Sequence, residues 1–183
     1  MKTLIGILIS LSLLMVMGCS ESRYYLSSDT SYIPTYLPNE SCKLVSFKPG
    51  LEPAGFNGIK WGTELSTLKE MKLYRKDSSH GGIDFYLKAG DGYKLKNGKL
   101  IPIQYGFWRG KFYIGMLITE QASEWSPLKE SVFEKFGVGA KPFSNQEEYL
   151  WIGKDATMGL RYDGYSKTGT YYIRSNSMEK QMN

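Results

Sequence analysis

Short turn dipeptides between apolar runs constrain the fold of this chain more than any other feature of its sequence. Asp91-Gly92 and Asn97-Gly98 are strong hairpin signals, and Arg109-Gly110 joins two long apolar runs. Turns this short connect antiparallel strands, because a parallel pair needs a crossover of about a dozen residues or more. The sequence therefore predicts a mostly antiparallel sheet.

The predicted strands are short segments of apolar or alternating side chains that stop at Gly, Asp, Asn or Ser. Pro102 falls inside one of them. Because proline lacks a backbone N–H, that strand should begin at a sheet edge or with a bulge. After a short strand around Ile59, the predicted strands are 72–76, 83–88, 100–108, 111–119, 148–152, 157–162 and 170–174.

A two-turn helix is expected directly after the first strand. Thr63 is a natural N-cap for it, and Glu64 in the first turn suits the helix dipole. Leu65, Leu68 and Met71 then form one apolar stripe. A helix this short depends on tertiary contacts for its stability.

A second helix is better marked. Ser126 is the predicted cap, Pro127 stands at the first helical position, and Gly137 ends the helix. Its apolar face consists of Leu128, Val132 and Phe136. The chain is therefore expected to be an α+β domain, with a mostly antiparallel sheet and both helices packed on one face.

The N-terminus has the three parts of a secretory signal. Lys2 supplies the charge, residues 4–17 form an apolar run, and Gly18 is a small residue before a cleavage point. The run is too short to cross a bilayer as a helix, which takes about 20 apolar residues. We therefore expect export from the cytoplasm.

The end of the signal resembles the lipobox of bacterial lipoproteins, with Val16 and Gly18 directly before Cys19. Met17 departs from the small or hydroxylated residue usual there. The resemblance implies that Cys19 becomes the N-terminus and carries fatty acyl chains such as palmitate. Ser20 favours the outer membrane over retention in the inner one. The alternative is a secreted protein cut after Ser20.

Four segments are predicted along the chain. Residues 1–18 form the lipoprotein signal peptide, and residues 19–55 hold the lipidated cysteine and a flexible tether rich in Pro and Ser. A single α+β domain covers residues 56–175, and a polar tail frays over 176–183. Cys42 in the tether is a lone thiol, either an inert passenger or an intermolecular partner.

The charge of the chain is mildly basic, with 23 Lys and Arg against 18 Asp and Glu and a pI of about 9.0. The lysines are scattered through the sequence, which favours a solubilising surface. Contact with anionic lipid headgroups or acidic glycans is the weaker alternative. Nucleic acid is not an expected partner, because an exported protein does not ordinarily meet it.

The run at residues 55–63 reads Gly-Phe-Asn-Gly-Ile-Lys-Trp-Gly-Thr. It resembles a group of short, uncharacterised bacterial lipoproteins that share a Gly-Ile-Lys-Trp-Gly-Thr core motif. Residues 105–107, 110–113 and 133–137 extend the resemblance over most of the domain. It implies a lipid anchor but no activity and no functional residue. A fainter likeness to small lipoproteins of the outer-membrane assembly type concerns the fold alone.

His80 is the only histidine in the chain and lies in a Gly- and Ser-rich turn. A hydrolase of the Ser-His or Cys-His kind needs it beside a nucleophile and an orienting acid. Ser79, Asp77 and Cys42 supply the residue types but no predicted geometry. An exposed loop histidine is favoured, and no catalytic residue, metal ligand or cofactor is predicted.

One surface is a candidate for binding. Trp108, Arg109, Lys111 and Tyr113 mix aromatic rings with cations, as glycan and peptide sites do. Core and cross-strand packing is the competing interpretation of the aromatic residues.

The function expected from the sequence is that of a membrane-anchored envelope lipoprotein whose domain is a non-catalytic binding module for a protein or glycan. The alternatives are a weakly marked periplasmic hydrolase using His80 and a structural subunit of an envelope assembly.

Overall fold

Antiparallel pairing organises the domain, and Asn97-Gly98 and Arg109-Gly110 join paired strands as predicted. Asp91-Gly92 does not form a hairpin, because the strands on either side of it both pair with residues 100–108 and not with each other. The structure is a computed structural model that describes residues 45–78 and 82–182. Over these residues the strands are β1 (Gly55–Phe56), β2 (Ile59–Lys60), β3 (Met71–Asp77), β4 (Ile83–Lys88), β5 (Gly92–Lys94), β6 (Leu100–Trp108), β7 (Lys111–Thr119), β8 (Glu147–Ile152), β9 (Ala156–Asp163) and β10 (Thr168–Ser175). The helices are α1 (Ala122–Phe136) and α2 (Asn176–Met182).

The main sheet has the strand order β3-β4-β6-β7-β10-β9-β8, with β5 beside the start of β6, and β1 and β2 form a separate hairpin. The predicted α+β class is therefore confirmed. The predicted position of Pro102 also holds, because it pairs only with Gly92 of β5, while pairing between β6 and β7 starts at Ile103. Its missing N–H thus costs no bond to β7.

The sheet has two faces with separate hydrophobic clusters. The alternate residues Ile101, Ile103, Tyr105 and Phe107 of β6 belong to the larger cluster, on what we call the first face. α1 covers this face with Trp125, Leu128, Val132 and Phe136. The smaller cluster, around Phe85, Ile114 and Tyr172, lies on the second face.

The first predicted helix is wrong. Only the 3₁₀ turn Leu65–Thr67 forms, and the hydroxyl of Thr63 donates to the carbonyl of Lys60 (2.8 Å) and does not cap a helix. Met71 is already the first residue of β3, where it pairs with Lys88. Met71 therefore belongs to a strand, and Leu65 and Leu68 alone are too few for the predicted apolar stripe of a helix. The turn still packs on the first face, through Leu65.

α1 begins four residues before the predicted cap, at Ala122, and places Pro127 inside the helix. Tertiary packing explains the difference, because Glu124 and Trp125 of the first turn are buried. Their burial outweighs the hydrogen bond that the proline removes. The predicted end is correct, since the N–H of Gly137 donates to the carbonyl of Phe133 at 2.8 Å.

The last residues do not fray as predicted but form α2, which lies on the second face. Met178 is buried in the smaller cluster, and Arg174 pairs with Glu179 (Nη2 to Oε1, 3.1 Å). Asn176 accepts a hydrogen bond from the Thr157 hydroxyl (2.7 Å). These contacts supply the tertiary support that a seven-residue polar helix needs.

The domain starts earlier than predicted, because residues 45–55 pack on it. Phe47 is 7% exposed, and the N–H of Ile152 donates to the carbonyl of Val45 (3.0 Å). The carboxylate of Glu52 accepts the N–H groups of Asp155 and Ala156. Pro and Gly made this segment look like a linker, but its polar groups bind the β8–β9 turn.

Candidate functional site

The predicted surface at the β6–β7 turn is only partly exposed. Trp108 and Tyr113 are 5% and 3% exposed and belong to the smaller cluster, whereas Arg109 and Lys111 face solvent. The guanidinium of Arg109 lies 4.5 Å from the centre of the Trp108 ring, and Lys111 Nζ lies 3.6 Å from Glu64 Oε1. The aromatic platform expected here is therefore absent, and two cations remain.

The other tyrosines that accompany this surface in the sequence are spread over the domain. Tyr165 is fully exposed in the β9–β10 turn, Tyr171 faces the first face of the sheet, and Tyr172 faces the second. Burial raises the pKa of Tyr172 to about 12. Sheet alternation separates neighbours in sequence, so these rings do not form one site.

Some predicted residues lie outside the described ranges: Cys19, Cys42, Ser79 and His80. Asp77, the acid nearest to that histidine in the sequence, is buried at the end of β3 and pairs with Arg75 (3.6 Å between Oδ2 and Nη1). Within residues 45–78 and 82–182, no three His, Cys, Asp or Glu side chains gather as metal ligands would. In the same ranges, no helix has the length and apolar character of a membrane span.

Among the described residues, a candidate site is a cavity of about 160 Å³ on the first face. Its floor is the sheet, where Ile103, Tyr171 and Ile173 contribute side chains. α1 forms one wall, and the segment leading into β1 forms the roof. The lining residues are Pro53, Gly55, Phe56, Asn57, Tyr93, Ile103, Ser131, Val132, Lys135, Phe136, Tyr171 and Ile173.

Glycine makes the roof possible. A side chain at Gly55 would overlap the backbone of Ile59, so only glycine allows this close hairpin. A side chain at Gly115 of β7 would overlap the ring of Phe56. The sheet therefore has a notch at Gly115 that receives Phe56, whose ring centre lies 6.3 Å from that of Tyr171.

The rest of the roof is fixed by Trp61, the tryptophan of the Gly-Ile-Lys-Trp-Gly-Thr run. Its indole N–H donates to the carbonyl of Pro53 at 3.0 Å. Its ring stacks on Phe112 of β7, with the ring centres 5.3 Å apart. The motif thus builds the hairpin that covers the cavity.

A hydrogen-bonded chain fixes the mouth of the cavity. The side-chain amide of Asn57 donates to the hydroxyl of Tyr105 (2.7 Å), which donates to Asp91 Oδ2 (2.8 Å). Asn57 and Gly58 both have positive φ, as a two-residue hairpin turn of the I′ type requires. The Asn57-Gly58 pair is a hairpin-turn signal in the sequence, and it lies at the mouth of the cavity.

The polar side chains that line the cavity are Asn57, Tyr93 and Ser131, together with a buried phenol and an exposed ammonium. Tyr171 is 4% exposed, and burial, followed by the nearby Tyr93, raises its pKa well above the usual range. The Tyr171 hydroxyl is therefore neutral and remains a proton donor at physiological pH. Lys135 is exposed at the mouth. The site offers donors to a ligand and apolar contact with its body.

Comparisons with known proteins do not identify a family for this chain. No family model, no curated protein and no solved structure matches the chain.

Proposed function

We propose that this chain is a lipoprotein of the bacterial cell envelope, with fatty acyl chains on Cys19 and an α+β domain that acts as a non-catalytic binding module. The observation that carries the proposal is the order of features at the N-terminus. Lys2 comes first, the apolar run of residues 4–17 follows, and the Gly18-Cys19 pair ends it. Ser20 favours the outer membrane, with the domain facing the periplasm.

The spacing between anchor and domain agrees with this role. Val45, the first described residue, already contacts the domain, so at most residues 20–44 separate the domain from the anchor. A chain of about 25 residues spans at most about 90 Å when fully extended. This length would allow the domain to meet an envelope protein or glycan beside the membrane.

The binding role is supported by the cavity on the first face. A concave, mainly apolar pocket with a few polar groups is the general form of a ligand site. Ile103, Val132 and Phe136 give the apolar lining, and Tyr171 gives a buried donor. Arg109 and Lys111 add exposed cations at a separate turn, where an anionic partner group has access.

The anchor is tested by metabolic labelling with an alkyne analogue of palmitate. The wild type is expected to carry the label, and Cys19→Ala is expected to lose it entirely. Cys42→Ala is the matched control, because it removes the other cysteine of the chain and should label as the wild type does.

Mass spectrometry of the mature N-terminus and separation of the two membranes complete the test. An acylated Cys19 in the outer-membrane fraction agrees with the proposal. A free Cys19 thiol, or a mature chain that begins at Glu21, contradicts the anchor. Recovery of the labelled protein in the inner membrane contradicts the location.

A further inference from the structure

We propose that the cavity on the first face binds a small carboxylic acid with a single aromatic ring. The inference deepens the proposed binding role and rests on it, because it names a ligand class for the same cavity. Three features lead to it, which are the size and lining of the cavity, the phenol of Tyr171 and the ammonium of Lys135.

The size of the cavity fits one ring. A cavity of about 150 Å³ lined by aliphatic and aromatic side chains holds a benzene molecule, and this cavity measures about 160 Å³. Phe56, Val132 and Phe136 offer ring and aliphatic surfaces to a flat apolar group. Drug-sized ligands take pockets of about 300 Å³ or more, so longer or multi-ring molecules are too large.

The phenol of Tyr171 calls for an acceptor on the ligand. Its side chain is buried and lines the cavity, and among the described residues its hydroxyl makes no hydrogen bond. The hydroxyl can therefore donate to a ligand in the cavity. An oxygen acceptor on the ligand would accept this hydrogen bond, which a hydrocarbon cannot do.

The positive charge of Lys135 favours a ligand whose hydrogen-bond acceptor is an anion. It is exposed at the mouth, and its Nζ lies 5.1 Å from the centre of the Phe136 ring. Over the described residues it forms no ion pair with an acid. Asp91, which reaches the mouth through Asn57, is already paired with Lys88 at 3.5 Å. A carboxylate on the ring thus meets a free cation.

The test uses the full-length protein purified in detergent micelles and isothermal titration with benzoate and phenylacetate. We expect saturable binding of at least one of them, with a dissociation constant of about 1 mM or tighter. Ser131→Met, which fills the cavity from α1, should weaken binding at least tenfold. Tyr171→Phe should weaken it about fivefold, as loss of one hydrogen bond does. Lys135→Gln should weaken it about threefold at low salt and less at high salt.

Three matched variants control for general effects. Ser126→Met changes an exposed position of the same helix, Tyr172→Phe removes a buried hydroxyl on the second face, and Lys154→Gln removes an exposed charge elsewhere. All three should bind as the wild type does. Partition into the micelles cancels, because every variant is measured in the same detergent. If Ser131→Met does not fold, Tyr171→Phe still tests the site.

The absence of saturable binding for both acids overturns the inference, and so does binding that Tyr171→Phe and Ser131→Met leave unchanged. Benzyl alcohol is a neutral probe of matched size. If it binds as tightly as the acids, the role of the carboxylate is wrong. None of these results affects fatty-acid labelling of Cys19, so failure here is distinct from failure of the lipid anchor.

Discussion

At the residue scale, the shape of the cavity depends on the Phe56 ring, which packs where Gly115 has no side chain. Phe56 packs against the backbone of Gly115, where any side chain would overlap its ring. Phe56 also contacts Tyr171 in the floor. The geometry therefore makes Gly115 a determinant of both stability and cavity shape.

Gly115→Ala is expected to lower the free energy of unfolding by about 1–3 kcal/mol, because the new methyl group overlaps the Phe56 ring in a packed interior. Urea unfolding measures the change. In a Phe56→Ala background the same substitution should cost less than about 1 kcal/mol, since the clash is gone.

Gly164→Ala is the matched control, because a side chain there meets open space. Its effect should stay within about 0.5 kcal/mol. Equal costs for Gly115→Ala with and without Phe56 would show that the notch does not hold this ring.

At the element scale, the elements set by local sequence signals were predictable, and those set by tertiary contacts were not. The strands were predictable because alternation and turn dipeptides are local, and β6 and β7 begin and end where the sequence indicates. The start of α1 was not predictable, since it depends on buried Glu124, which meets Lys99 far along the chain. α2 was missed because Met178 and Met182 alone give its sequence little apolar pattern.

Glu124 gives a prediction for the first turn of α1. Burial by itself raises the pKa of its carboxyl, but bonds from Lys99 and from the N–H of Glu120 (2.9 Å) outweigh this and lower the pKa below the usual range. A lowered folded-state pKa gives stability that is present above the unfolded pKa of about 4.3 and is lost as pH falls through the folded pKa. Glu124→Gln should therefore cost about 2 kcal/mol at pH 7 and much less near pH 3.

Urea unfolding at both pH values measures this difference. Glu130→Gln, on the exposed side of the same helix, should change stability little at either pH. A cost for Glu124→Gln that is the same at pH 7 and pH 3 would rule out the ionised pair as its source.

The cavity itself could not be predicted, because its walls come from distant parts of the chain. Phe56, Ile103, Val132 and Tyr171 are each unremarkable apolar positions in the sequence, and only the packing of α1 and the hairpin on the sheet brings them together. The Asn57-Gly58 turn was the one local clue. In the predicted aromatic surface, Trp108 and Tyr113 are buried together in the smaller cluster, a packing that the sequence alone does not distinguish from an exposed platform.

At the scale of the whole molecule, the domain includes a segment that the composition assigns to the tether. Phe47→Ala tests this boundary. Phe47 packs edge-on against Phe136, with ring centres 5.9 Å apart, so its truncation should cost about 3 kcal/mol in urea unfolding. Leu51→Ala, in the same segment but 38% exposed, should cost less than about 1 kcal/mol.

If both substitutions leave the free energy of unfolding nearly unchanged, residues 45–55 do not contribute to the domain and the predicted tether boundary is correct. A large effect of Phe47→Ala alone places the boundary of the domain at or before Phe47.

Within the described residues, the attachment of Val45 to Ile152 is the first contact that a pull from the N-terminal side would load. Tension applied from the N-terminal side reaches the backbone bond at Val45 and then the Glu52 contacts with the β8–β9 turn. Pro53 and Phe56, which cover the cavity, come later along the chain. If Cys19 carries the proposed anchor, a pull on it would load the outer strand β8 and the contact of Phe47 with Phe136 before it reached these two residues.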